Sequence, residues 1–404
     1  MKDMIEIQGK YTDAKIYTNQ PQQAAIEQID ELVNQSFMAG TKVRIMPDYH
    51  AGKGCVIGTT IALNEHVVPN LVGVDVGCGV LVSEIGSGAI DFNVLDATIR
   101  RYVPSGNDIH DEVAAHRQFE QFHNGNFMAA GLHNDYTNRS LGTLGGGNHF
   151  IELAKDEAGV HYLLIHTGSR YVGAKVANWH QKRAAELLQR EDLAGKIEAL
   201  KQEGRAKEIQ AMIQQFKNAN PVVPKDLAYL QGESFHDYIA DMKLAQRFAY
   251  ENRKQIATAI AEQMKWEYAQ QFDSVHNYID TETMVLRKGA VRAAKGERLV
   301  IPMNMRDGSL LCTGKGNADW NESAPHGAGR IYSRTAAMKN LSMDEFKETM
   351  AGIWTTSVTE ETLDEAPMAY KPMQEIVEQI GETVTINKHI TPVYNFKASD
   401  KWKR

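Results

Sequence analysis

Apolar positions in this chain cluster into short runs that end at glycine. Cys55–Leu63, Val72–Val76, Val80–Ile85, His161–His166 and Thr283–Lys288 are continuous or alternating apolar segments, and the pattern predicts buried or half-buried strands. Between them, apolar residues at helical spacing predict helices over Gln22–Gln35, Gln118–Ala130, Tyr238–Trp266 and Met343–Gly352. Strands alternating with helices place the chain in the α/β (α+β) class. The segment 177–220 differs. It is rich in Ala, Glu, Lys, Gln and Leu, with Ile197, Leu200, Ile209, Met212 and Ile213 at helical spacing and a break at Gly204. It predicts an inserted helical hairpin that projects from the body, its mixed charges forming a solvated face. No repeat or Pro/Ser-rich linker interrupts the chain, so a single domain over 1–404 is expected, with 177–220 as an insertion within it.

Composition narrows the class without changing it. With 43% hydrophobic and 24% charged residues in 404, the chain has ample material for a core and is neither disordered nor fibrous. A net charge of −7 gives no global basic footprint, so contact with nucleic acid requires a local patch. Three cysteines exclude a disulfide scaffold and fit a reducing compartment. Neither a signal-peptide apolar stretch nor a membrane-length apolar run occurs, so a cytoplasmic enzyme with no membrane partner is expected.

The chemistry sits in polar clusters among glycines at the ends of apolar runs. They are Met46–His50, Gly73–Gly79, Gly145–Glu152, His166–Arg170 and Pro325–Arg330, with Val275–Tyr278 as a sixth that lacks glycine. Asp75 and Cys78 pair a hard ligand with a soft one, suited to a borderline divalent metal, and a thiolate can bridge two. The alternative is an inert buried cysteine, but a carboxylate in an apolar run needs a partner. His149, His166 and His276 are candidate ligands by the same logic, although each alone reads more readily as a surface or satisfied core histidine. His326 precedes Gly327, Ala328 and Gly329, whose N–H groups suit an anion-binding nest leading into a helix. A histidine beside such a nest suits phosphate chemistry, as base or as nucleophile; a plain glycine turn is the alternative. Walker and Rossmann registers are absent, so a nucleotide would be bound by another route. Arg44, Lys53, Arg170, Lys175, Lys288, Arg292, Lys295, Arg330 and Arg334 lie near these segments and suggest a local phosphate-binding surface.

In order, MPDYHAGKG, GVDVGCG, LGGGNHFIE, HTGSR, HNY, RKGA, HGAGR and PMAYK resemble the motifs of the RtcB family of GTP-dependent RNA ligases, over about Arg44 to Lys397. The resemblance implies central β-sheets surrounding a deep metal cleft. It implies two Mn²⁺ ions and GTP as co-substrate, and an RNA 3′-phosphate or 2′,3′-cyclic phosphate joined to a 5′-hydroxyl through a histidine–GMP intermediate. By motif position, His326 matches the guanylylated nucleophile, Asp48 the carboxylate that orients it, and Asn148 a residue near the transferred phosphates. Asp75, Cys78, His149, His166 and His276 match the metal ligands. Phe150, Glu152, Ser309, Tyr370 and Lys397 match the guanine surroundings, with Gly327, Ala328 and Gly329 beside the nucleotide. Arg170 and Lys288 match contacts to the RNA phosphate. An activating protein partner, unnamed by the sequence, belongs to the same expectation. The chain departs from the family pattern at Pro302–Arg306 and after Phe396–Lys397–Ala398, both near the guanine pocket. Rival readings are an enzyme that caps RNA ends with GMP without sealing them, a two-metal phosphoesterase, and a non-catalytic RNA-binding relative. The intact histidine and cysteine set argues against the last, and His326 argues against simple hydrolysis.

Overall fold

The computed structural model describes residues 4–18, 20–113, 119, 127, 129–218 and 223–398. Two sheets carry most of the strands. The first has six, in the order Ile5–Gln8, Asp13–Ile16, Lys42–His50, Ile57–Ala62, Val285–Lys288 and Asn277–Asp280. The larger sheet runs Arg298–Asn304, Gly308–Gly314, Val384–Lys397, Phe150–Lys155, His161–Thr167, Gly79–Gly86 and Gln270–Val275, with Trp354–Thr355 pairing against Val384–Lys397. A short ribbon of Ala290–Arg292 with Ser323–Pro325 leads into His326. This mixed α/β arrangement is the fold class the sequence predicts.

Side-chain alternation along the large sheet separates structure from site. Ile151, Leu153, Leu163, Ile165, Tyr394 and Phe396 share one apolar cluster with Leu95, Ile99, Ile256 and Ile260 from the helices Phe92–Tyr102 and Gly232–Met264. The intervening residues Phe150, Glu152, Asn395 and Lys397 belong to the opposite face and line a cavity. A second large cluster joins the first sheet to the helix Gln23–Val33 and to the two long helices.

The helix Gly232–Met264 buries a stripe from Phe235 through Tyr238, Met242, Ala245, Phe248, Ala249, Ile256 and Ile260. It starts before the predicted Tyr238. Its partner, Tyr171–Gln202, is joined to it by buried His180, whose Nε2 lies 2.8 Å from Asp241 Oδ2. The predicted hairpin exists, with a turn at Gly204 (φ +73°) and a second helix Ile209–Asn218. Its first part is not projecting: Ala177, His180, Gln181 and Ala184 are buried in the body, and the helix becomes largely exposed beyond Leu188. Residues 219–222 and most of the predicted helix Gln118–Ala130 lie outside the described residues.

A second expectation is corrected. Val72–Val76 is not a strand but a turn, closed by Cys78 N–H donating to Asp75 O at 3.1 Å. Gly77 makes this possible. It has φ +75°, and a Cβ there would meet Gln246 Cα of the long helix at 2.7 Å.

Candidate active site

Strand pairing brings the metal candidates together. Gly79 pairs with Thr167 on one side and Val275 on the other, and Phe150 pairs with His166. Cys78, His149, His166 and His276 therefore sit at adjacent strand ends. Cys78 Sγ lies 3.2 Å from His166 Nε2 and 3.7 Å from His149 Nε2. His166 Nε2 is 3.4 Å from His276 Nε2, and Asp75 Oδ2 is 2.9 Å from His149 Nε2. Two triads result, Cys78–His166–His276 and Asp75–Cys78–His149, each with its ligand atoms within 4.8 Å of one another, and Cys78 belongs to both.

The donor set suits a pair of borderline divalent cations. His149 and His166 turn Nδ1 to the carbonyls of Leu144 and Asn148, at 3.0 and 3.1 Å, which leaves Nε2 as the lone-pair atom. Burial holds His166 and His276 well below the usual imidazole range, so both are neutral. Burial and the neighbouring Asp75 carboxylate push the Cys78 thiol up; a bound cation would reverse that preference.

Beneath the cluster lies a residue the sequence reading missed. Arg253, fully buried on the long helix, donates to Gly77 O at 2.9 Å and to Thr167 O at 2.7 Å, and pairs with Asp273 at 2.6 Å. Its neighbour Asn252 accepts from the N–H groups of Gly142 and Thr143 at 2.7 and 3.0 Å and donates to Gly168 O at 3.2 Å. The two side chains clamp the loops that carry Cys78, His149 and His166.

His326 follows the ribbon strand Ser323–Pro325, and its ring centroid is 4.9 Å from that of His276. Asp48, fully buried, accepts from His326 Nδ1 at 2.6 Å and from His326 N–H at 3.1 Å, both through Oδ2. Lys371 Nζ donates to the carbonyls on either side of Asp48, those of Pro47 and Tyr49, at 3.0 and 3.2 Å. The loop is tight: at Gly329 (φ +74°) a Cβ would fall 2.1 Å from Asp48 O. It does not enter a helix directly, because the helix Arg334–Asn340 begins later and is capped by Ser333. His50, to which the sequence reading gave no role, lines the same cavity; burial lowers it to about 4, so its ring is neutral.

That cavity, about 230 Å³, is lined by Asn148, Phe150, Glu152, Ser309, His326, Gly327, Ala328, Gly329, Tyr370 and Lys397, ten of the predicted residues. Burial lifts Glu152 to about 8 despite a 2.9 Å hydrogen bond from Asn395 Nδ2 and the nearby Lys397 charge. Lys397 Nζ sits 5.6 Å over the Phe150 ring and 2.8 Å from Glu365 Oε2. Glu365 was not singled out by sequence. Burial alone would raise it, but Lys397, Arg334 and Arg330 together hold it at about 2. It also accepts from Tyr370 Oη at 2.5 Å and pairs with Arg330 at 3.0 Å, so one carboxylate organises a wall of cations.

The predicted basic surface is divided. Arg330 and Arg334 line this cavity. Arg170 borders a second one of about 300 Å³ with Asp75 and His149, its Nε donating to Thr143 Oγ1 at 2.8 Å. Arg170 has φ 57° and ψ −141°, a strained backbone for a non-glycine residue. Lys288 reaches neither cavity. Its ammonium is buried on the carbonyls of Lys53 and of Asn70, the latter at 2.9 Å, and burial lowers it to about 8. Arg44, Lys53 and Arg292 are engaged by Asp319, Asp226 and Asp280. Lys175 and Lys295 line neither cavity.

Residues 28–398 match the family described as tRNA-splicing ligase RtcB, which makes the chain an RNA ligase by class. The chain belongs to the RtcB family. It is 29% identical over 382 residues to RNA-splicing ligase RtcB1 of Escherichia coli (strain ATCC 25922), spanning 85% of this chain and 87% of that protein. RtcB2 of the same strain is 28% identical, with 88% and 86% covered. The tRNA-splicing ligase RtcB of Thermococcus kodakarensis is 25% identical, with 85% and 84% covered. No helix among the described residues is long and apolar enough to cross a membrane.

Proposed function

We propose that this chain joins RNA 3′-phosphate or 2′,3′-cyclic phosphate ends to 5′-hydroxyl ends, with GTP as co-substrate, in RNA repair or tRNA-splicing-type reactions. The observation that carries the reading is His326: fixed by Asp48 at 2.6 Å, in ring contact with His276 and lining the cavity with the predicted guanine contacts. With its Nδ1 proton held by Asp48, His326 Nε2 keeps its electron pair and attacks the α-phosphorus of GTP. The N–P bond forms, the α–β bridge breaks, and pyrophosphate leaves. An RNA 3′-phosphate oxygen then takes the GMP and frees His326. The 5′-hydroxyl oxygen attacks the activated 3′ phosphorus, and GMP departs. A cyclic phosphate is first opened by water to the 3′-phosphate.

Asp75, Cys78, His149, His166 and His276 would hold two Mn²⁺ ions, whose positive charge would offset the negative charge developing on the phosphates. Asp48 also balances the positive ring formed on attack. Phe150 offers a stacking face, while Glu152, Ser309, Tyr370 and Lys397 surround guanine, which presents N1–H and N2–H donors that adenine lacks. Asn148 and the Gly327–Gly329 segment meet the transferred phosphates, and Arg170 meets the RNA end. Lys288 supports the loops of Lys53 and Asn70, a supporting role in place of direct RNA contact.

Incubating the protein with GTP, Mn²⁺, a 3′-phosphate RNA and a 5′-hydroxyl RNA tests this. The joined strand should appear with GTP and not with ATP. Accumulation of a GMP-capped 3′ end without joining would indicate a capping enzyme. Phosphate release without nucleotide dependence would indicate a phosphoesterase.

A further inference from the structure

Asn395 is an unexpected residue where it stands. Tyr394 and Phe396, its neighbours on the strand, are buried in the apolar cluster on the far face of the sheet. Asn395 is 1% exposed and lines the cavity instead. It lies directly across the antiparallel pair from Glu152, which puts both side chains on the same face. Its Nδ2 donates to Glu152 Oε2 at 2.9 Å. With the amide nitrogen turned to that oxygen, the amide oxygen is left over.

Three buried polar atoms around this cavity have no partner among the described residues: Asn395 Oδ1, Glu152 Oε1 and Ser309 Oγ. An orphaned buried acceptor is unfavourable, and an aliphatic side chain in its place would avoid that. Two such acceptors side by side on one wall match a ligand edge with two adjacent N–H donors. Guanine has such an edge, in N1–H and the 2-amino group. Hypoxanthine has only the first, and adenine presents an acceptor at N1.

We propose that Asn395 is a base-reading residue, its Oδ1 accepting from the guanine 2-amino group while Glu152 Oε1 accepts from N1–H. The assignment rests on the nucleotide reading of the cavity given above. Asn395 thereby acts twice: it occupies one oxygen of Glu152, so that the carboxyl group presents the other, and it supplies the second acceptor itself.

The test is calorimetric binding of GTP, ITP and ATP to the full-length protein with Mn²⁺, with the GMP adduct on His326 scored separately. ITP lacks only the 2-amino group. The unaltered protein should prefer GTP to ITP by about tenfold, the worth of one good hydrogen bond in a dry site. Asn395→Val should bring GTP and ITP within about twofold of each other. Equal binding of GTP and ITP by the unaltered protein overturns the proposal without recourse to any variant. So does an Asn395→Val protein that melts normally and keeps the full preference. Failure of GTP to bind at all overturns both this assignment and the ligase reading. Selective GTP binding that responds to Asn395→Val, with no His326 adduct, supports the assignment and defeats only the ligase reading.

Discussion

Asp48→Asn removes one charge from the pair that orients His326 and changes almost nothing else in volume. In the native site a single oxygen, Asp48 Oδ2, accepts two N–H groups of His326, at 2.6 and 3.1 Å, inside a fully buried pocket. Hydrogen bonds to a charged acceptor are worth about 1.5–3 kcal/mol each and neutral ones about 0.5–1.5, so the substitution weakens the pair by roughly 2–3 kcal/mol. The ring gains positive charge as Nε2 attacks, so most of that difference falls on the transition state. At about 1.4 kcal/mol per decade, nucleotide transfer to the protein should slow by ~10²-fold. If the amide turns its NH₂ toward Nδ1, the wrong tautomer is selected and the loss approaches ~10⁴-fold. Single-turnover transfer from α-labelled GTP measures the rate, and calorimetry shows whether GTP still binds. GTP affinity and melting temperature should stay near the native values. A transfer rate within about threefold of native would refute the orienting role of Asp48.

Four further outcomes are expected. Glu365 is held at about 2 against an ordinary value of 4.5, so it stabilises the fold fully above pH 4.5 and loses that contribution as pH falls through 2; the depression corresponds to roughly 3 kcal/mol. Urea melts should therefore show Glu365→Gln less stable at pH 7, with the gap narrowing as the pH drops below 4.5. Glu152 shifts the other way, to about 8, so the native state keeps a proton that the unfolded chain releases, and stability falls as pH rises from 4.5 to 8. Glu152→Gln should accordingly melt above the native protein at pH 9 while GTP affinity drops. Cys78→Ser should weaken Mn²⁺ and Zn²⁺ binding by equilibrium dialysis and remove transfer activity, with Zn²⁺ binding the native site more tightly than Mn²⁺ and inhibiting it; full Mn²⁺-dependent transfer in the variant would exclude a shared thiolate. Replacing residues 190–218 of the helical hairpin, beyond its buried root, with a Gly-Ser linker should leave guanylylation intact and change the relative joining of different RNAs, whereas unchanged ratios with a lower melting temperature would make the hairpin a passive insertion.

The site was more legible in the sequence than the frame around it. Cys78, His149, His166 and His276 were conspicuous because polar groups at the ends of apolar strands need a reason to be there, and the strand register brings them together. The turn at Val72–Val76 was misread because an apolar run next to glycines looks alike whether it pairs or bends; the approach of Gln246 to Gly77 decides the matter. The root of the hairpin was misplaced for a related reason. Its small buried residues Ala177 and Ala184 look like any alanine-rich helix until the partner helix is seen. Arg253 and Glu365 had no local signal at all. Arg253 reaches a carbonyl 176 residues away, and the partners of Glu365 come from three separate segments, so both roles exist only in the folded chain. The basic residues Arg44 and Arg292 are drawn off by acidic partners equally remote in sequence.

The most direct measurement is the intact mass of the protein after incubation with GTP and Mn²⁺, followed by mapping of the modified peptide. The geometry around His326 predicts the added mass of one GMP, carried on the peptide that contains His326, lost in acid and kept in alkali, and absent from His326→Ala. A protein that gains no mass while binding GTP, or that carries the GMP on another residue, contradicts the assignment of His326 as the nucleophile.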